Sequence, residues 1–310
     1  MLALVLAFPA YGWGPKGHQI IAVAAVRDLP ASLPAFIRRG WVTLRFLTNE
    51  PDRWREAGMP ELDADNAPDH FINLERVAFL KTWPRNRYGF IAALCAQAQK
   101  LRQAGHPRAA AALAPAKVGL QPYAALEYYQ RLVIAMQEYR WALRHHQNAR
   151  LLQGHVLEMM GLLSHFVGDG SQPLHTTIQY NGWVGPDPRG FTRSHRIHWQ
   201  FESKFVNAAV PWSALRGRRR PPQRLHHLFA AYLHYLGQTH AQVIPLYELA
   251  KQGAFQGRGT AAGRRFVEAR LAAGAQMLAD MWYTAWRTSA RMPRHGFHLS
   301  LNQRGYRRKY

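Results

Sequence analysis

Residues 151–175 read LLQGHVLEMMGLLSHFVGDGSQPLH, and the architecture turns on this stretch. From Leu151 to Gly168 apolar residues recur more widely than on the single stripe of a surface helix, which predicts a central helix buried on most sides. His165 and Asp169 stand four residues apart near its end. At that spacing they share a helical face, so an imidazole and a carboxylate can grip one ion. Pro173 ends or kinks the helix, which lets His175 turn back towards a neighbouring position.

On either side of this segment helical spacing recurs, and the strand signal is poor throughout. Gly17 to Val26 reads as an apolar helix and Ala31 to Arg38 as a second. Tyr123 to Leu143 places Leu126, Tyr129, Leu132, Val133, Met136, Tyr139 and Leu143 on one stripe at three-to-four spacing. Leu225 to Leu249 and Gly263 to Trp286 predict two long C-terminal helices. Thr48 to Phe71 and the Gly-, Pro- and Asn-rich Gln179 to Arg193 are expected to be irregular. Pro211 to Pro222 is a break, and its basic run Arg216 to Arg220 is read as a solvated loop. No internal repeat is present. The expected fold is all-α: a single mainly helical domain over residues 13–295 with long irregular loops, followed by a basic tail over 296–310.

The 310 residues include 40 Lys plus Arg against 18 Asp plus Glu, a net charge of +22. Such an excess favours a polyanionic partner, either nucleic acid or an anionic membrane surface. Cys95 is the only cysteine, which excludes an internal disulfide framework. Met1 to Phe8 is apolar, and Ala10 and Gly12 occupy the small-residue positions of a signal-peptidase site. Residues 1–12 are therefore expected to be a signal peptide cut before Trp13, with export to the periplasm or beyond. No other apolar run approaches the ~20 residues of a membrane span. Nothing calls for an obligate protein partner.

A second ligand-type pair lies at His198 and Glu202, again four residues apart. His195 has Trp199 at that spacing, so His198 is preferred. Imidazole nitrogen with carboxylate oxygen suits zinc without any thiolate. The chain holds 16 histidines, and His145, His146, His155, His226 and His227, which lack such a carboxylate, are read as surface or core residues.

The run His165 to His175 resembles the zinc-binding segment of the S1/P1 nuclease and zinc-dependent phospholipase C superfamily. Trp13-Gly14-Pro15-Lys16-Gly17-His18 is similar to the mature start of the S1/P1 branch, and Asp52 with Arg55, then His70-Phe71, to its next ligand block. The similarity runs from residue 13 to about 206 in the family's order, and the two long C-terminal helices suit that fold. The resemblance implies a domain of the phospholipase C/P1 nuclease type that holds three zinc ions. Asp52, His70, His165 and Asp169 would bind one ion, and His175, His198 and Glu202 its close neighbour. The amine and carbonyl of Trp13, with His18 and a shared Asp169, would bind the third. Arg55 falls on the family's phosphate-binding arginine and Phe71 on its base-stacking ring. Asn73 stands where the nuclease branch carries Asp and is taken with Arg55 and Phe71 as substrate-binding, since Asn can still hydrogen-bond a base edge. Asp52 would assist as a base while remaining a ligand.

The implied activity is phosphodiester hydrolysis, since zinc lowers the pKa of water and neutralises phosphoryl charge. Its substrate stays open at this point. The Trp13 to His18 spacing, Phe71 and the net charge favour single-stranded DNA or RNA. Glu202, where the nucleases carry Asp, together with His198, Phe201 and the following Phe205-Val206, favours a phospholipid. A third reading, a non-catalytic zinc- or nucleic-acid-binding protein, sits poorly with so full a ligand set, because a structural site needs neither three ions nor an open position.

Overall fold

The central segment forms the helix Arg150–Asp169, and every residue from Met159 to Asp169 is buried. A computed structural model describes residues 12–217 and 220–292. Most of residues 1–12, together with the tail 296–310, therefore lie outside the described residues. The described residues form an all-α fold with no strand, only an isolated bridge between Tyr180 and Gly182.

Four helices surround the central one: Gln121–Arg144, Ala261–Ser289, Gly14–Arg27 and Trp41–Leu47. Trp41–Leu47 buries only Leu44, while the three long ones present a stripe at three-to-four spacing. In Ala261–Ser289 it runs through Val267, Leu271, Ala275, Leu278, Trp282 and Ala285, so burying one face removes a row of large side chains from water at roughly 1.5–3 kcal/mol each. Side-chain caps start two helices: Thr260 accepts from the Gly263 amide and Asn86 from the Gly89 amide. The buried end of the central helix is satisfied by other helices. Tyr235 donates to the Val167 carbonyl at 2.7 Å, Tyr232 to the Phe166 carbonyl at 3.2 Å, and Gln121 also donates to Phe166. The Phe166 carbonyl also accepts from the Gly170 amide at 3.1 Å, whereas Tyr235 supplies the donor that the Val167 carbonyl needs in the last turn.

Several expectations need correction. Leu225 to Leu249 is two helices, Leu228–His240 and Val243–Lys251; Pro245 cannot donate to the carbonyl four residues back and clashes with it. The second helix begins at Ala35, not Ala31, because Pro34 disfavours helical geometry at the residue before it. Thr48 to Phe71 is less irregular than expected, holding the short helices Glu50–Arg53 and Pro60–Asn66 and the 3₁₀ turn Ala67–His70. Two ends of the apolar pattern face water: Leu143 is 50 % exposed and Leu151 75 %, since both lie in terminal turns that run past the core. The helix Arg87–Gln103, not foreseen, buries only the narrow stripe Phe90, Leu94 and Ala98. No helix among the described residues is long and apolar enough to cross a membrane.

The central helix is pressed against Trp41–Leu47 at Gly161, where an added Cβ would fall 2.4 Å from the Leu47 Cβ. Gly161→Ala overpacks this crossing and is expected to destabilise the fold by about 1–3 kcal/mol. A urea unfolding midpoint unchanged from that of the parent chain would refute the close packing.

Candidate metal centre

Six separate segments converge at the buried end of the central helix. Gly14–Arg27 brings His18, Glu50–Arg53 brings Asp52, and the turn Ala67–His70 ends in His70. The central helix supplies His165 and Asp169, and the 3₁₀ turn Pro173–Thr176 supplies His175. His198 sits in the turn Ile197–Trp199, which runs on into a π-helix, Gln200–Phe205, carrying Glu202. His18, His165 and Asp169 have no exposed surface, and His70, His175, His198 and Glu202 are buried.

The first group is centred on one oxygen of Asp169. Its Oδ2 lies 3.2 Å from His70 Nδ1 and 3.3 Å from His165 Nε2. Asp52 Oδ1 lies 3.7 and 3.6 Å from the same two nitrogens and is buried with no hydrogen bond. Ligand atoms about 2.1 Å from a tetrahedrally bound ion stand about 3.4 Å from one another, so this spacing fits a single ion. The second group is His175, His198 and Glu202. His198 Nε2 is 2.7 Å from Glu202 Oε2, and the two Nε2 atoms face each other at 3.1 Å. Two imidazole lone pairs so aligned repel unless a proton or a metal lies between them.

The hydrogen bonds on the far side of each ring set its orientation. His165 Nδ1 donates to the Thr48 carbonyl at 2.8 Å, His175 Nδ1 to the His70 carbonyl at 2.6 Å, and His198 Nδ1 to the Tyr180 carbonyl at 3.1 Å. With Nδ1–H committed to backbone oxygen, Nε2 is the free lone pair, and in all three it points inward. This is the outer arrangement that orients metal-binding histidines. His70 is turned the other way, with Nδ1 inward, and Asn66 backs it: the Asn66 Nδ2 donates to the Pro51 carbonyl and stands 3.0 Å from His70 Nε2. Gln172 Nε2 donates to Glu202 Oε2 at 3.1 Å, while its Oε1 accepts from the Leu174 amide. Sequence reasoning missed Asn66 and Gln172, because an amide has no spacing rule that ties it to a ligand.

The other oxygen of Asp169 faces a third direction. Oδ1 lies 3.2 Å from His18 Nε2, and neither it nor either His18 ring nitrogen makes a hydrogen bond. One carboxylate thus addresses two sets of imidazoles, as a bridging ligand must. Trp13 is close by and fully buried, with its indole Nε1 on Ser171 Oγ at 2.6 Å and its carbonyl accepting from the His18 amide. Its own nitrogen is in the peptide bond to Gly12, whose backbone fills this corner: a Cβ there would fall 1.6 Å from Asp169 Oδ1 and 2.8 Å from His18 Nε2.

These groups hold unusual charge. Burial opposes ionisation of Asp169, yet His165 and His175 beside it outweigh that and hold its carboxyl well below the usual range. Burial lowers His165 as well, but Asp169 and Asp52 raise it to about 9. Burial pushes Glu202 well above the usual carboxylate range and His198 well below that of imidazole. The donor set, its spacing and its orphaned atoms all fit bound metal ions.

A cleft of about 590 Å³ opens on this cluster. His70, His175 and His198 line it, together with Arg55, Phe71 and Asn73. Arg55 Nε lies 3.4 Å from Asp63 Oδ1. The segment His70–Asn73 is stitched into the wall: the Ile72 amide bonds the His175 carbonyl at 2.9 Å and the Asn73 amide the Val118 carbonyl at 2.7 Å. Gly119, at φ +92°, lets the chain pass the Phe71 carbonyl, which a Cβ would approach to 2.0 Å. Asn73 Nδ2 gives one of its two N–H donors to the Lys117 carbonyl at 2.8 Å, which leaves the other donor and the side-chain oxygen to meet a ligand. His195, set aside in the sequence, is exposed and takes no part. The chain matches no protein-family model, no curated protein and no solved structure.

Two measurements probe the site. Protein stripped of metal should carry a proton on His165 at neutrality, and burial favours the neutral form of Glu202, so divalent-ion uptake at about pH 7 should release protons and tighten as pH rises. Titration calorimetry reads this as a binding heat that varies with the buffer's ionisation enthalpy; a buffer-independent heat would contradict it. Asn66→Ala should weaken binding by about 10–100-fold through the lost support of His70. Equal metal affinity in variant and parent would show that Asn66 is only packing.

Proposed function

We propose that the chain is a zinc-dependent phosphodiester hydrolase of the S1/P1 nuclease and phospholipase C type, cleaving single-stranded DNA or RNA. The observation that carries this reading is Asp169, whose two carboxylate oxygens face separate imidazole sets beside a cleft that also holds Arg55 and Phe71. In this reading Asp52, His70, His165 and Asp169 hold one zinc ion, His175, His198 and Glu202 a second, and His18 with Asp169 and Trp13 a third. Zinc bound there supplies a lowered water pKa and neutralises charge on phosphoryl oxygen.

The chain's own groups do the rest. The Arg55 guanidinium holds a non-bridging phosphate oxygen as negative charge builds on it. Asp52 would assist as a base towards the attacking water while remaining a ligand. The Phe71 ring stacks on an unpaired base, which favours single strands because a stacked base cannot reach it. Removal of the leader between Gly12 and Trp13 after export frees the Trp13 amine and clears the Gly12 backbone from Asp169 Oδ1. The second reading, phospholipase C, rests on Glu202 and the Phe201, Phe205 and Val206 that follow His198.

Protein beginning at Trp13 and loaded with zinc should hydrolyse single-stranded DNA and RNA and leave phosphatidylcholine intact, and His165→Ala should abolish the turnover. Lipid turnover alone would replace the first reading with the second. No turnover of either substrate by fully metallated protein would sink both.

A further inference from the structure

The cleft carries two cations that the proposed chemistry does not use. Arg76 and Lys117 line it beside Phe71 and Asn73. Unlike Arg55, neither has a carboxylate partner among the described residues, and Arg76 Nε is buried without a hydrogen bond. Glu75, the nearest acid in sequence, is turned to other work: it accepts from the Thr177 hydroxyl and the Ile178 amide. No Asp or Glu lines the cleft.

The two cations come from different segments that are fastened together. The Arg76 amide closes a turn on the Asn73 carbonyl at 3.0 Å. Lys117 belongs to the short helix Pro115–Val118, whose Lys117 and Val118 carbonyls receive the Asn73 side chain and amide. Asn73 thus ties together the two segments that bring both cations to the cleft. Two cations without carboxylate partners lining one cleft make it attractive to an anion.

We infer that Arg76 and Lys117 form a second phosphate subsite, which binds a phosphate of the substrate strand other than the one being cleaved. The inference rests on the phosphodiesterase reading for the position of the cleaved bond and adds the place where the strand's neighbouring phosphate is held. A strand whose cleaved phosphate meets Arg55 and the metal ligands, and whose base lies on Phe71, passes its next phosphate between Arg76 and Lys117. A choline headgroup is itself a cation and is recognised by aromatic faces or carboxylates; a cleft with three cations and no carboxylate repels it.

The test separates binding from catalysis. A fluorescent single-stranded oligodeoxynucleotide is titrated with metal-stripped protein at a series of salt concentrations and read by anisotropy. Each phosphate contact contributes about 0.7 to the slope of log affinity against log salt for a single strand, so Arg76→Gln with Lys117→Gln should lower the slope by about 1.4. Lys117→Gln alone, at an exposed position, should lower it by about half as much. Zinc-loaded double variant should hydrolyse bis(p-nitrophenyl) phosphate, which has no second phosphate, as fast as the parent. An unchanged salt slope, or an equal loss on the small diester, would overturn the subsite. Wild-type binding of phosphatidylcholine vesicles as tight as its binding of the oligonucleotide would also overturn it. The predicted slope change in a protein that hydrolyses no diester would uphold the subsite and reject the phosphodiesterase reading instead.

Discussion

Asp169 lies wholly out of water at the C-terminal end of the central helix, where the helix dipole already places negative charge. An ionised carboxylate there is doubly disfavoured, by desolvation and by the neighbouring carbonyls. It holds its charge because His18, His70, His165 and His175 present ring nitrogens to it from four different segments. The need to keep positive charge around Asp169, on protons or on metal, is the constraint that the other elements meet.

The fold meets it by sacrificing regular structure around the helix end. Thr48, His70 and Tyr180 each give a carbonyl to a histidine Nδ1–H, and all three stand at the ends of short elements or in loops, where a carbonyl is free to turn inward. The short helices and turns between Thr48 and Phe71, the turn at Pro173 and the extended stretch before Ile197 expose those oxygens. The π-helix from Gln200 serves the same end, since widening the helix by one residue per turn reorients Glu202 relative to His198. Tyr232, Tyr235 and Gln121 in turn cap the carbonyls of the helix end, so that the cluster sits on a rigid support.

The same stitching shapes the cleft. Asn73 binds the Phe71 segment to the Pro115–Val118 helix, and Gly119 permits the close backbone passage that keeps the Phe71 ring at the cleft's edge. A position that reads as a ligand contact in the sequence thus has a structural role as well. Arg76 and Lys117, which have no motif of their own, acquire meaning only from being held beside it.

How much of this was legible in the sequence follows from the range of the forces involved. A helix repeats every 3.6 residues, so local spacing alone determined the central helix, the pairing of His165 with Asp169 and of His198 with Glu202, and the all-α class. Pro245 and Pro34 also carried local signals, of the helix break and the late helix start. Only the tertiary structure decided that Asp169 turns one oxygen to His18 and the other to His70 and His165. It also decided that Gln172 and Asn66 stand behind the ligands, and that Arg76 and Lys117 line the same cleft. Those relations join residues up to about 150 positions apart in the chain, and only packing, which has no sequence period, sets them.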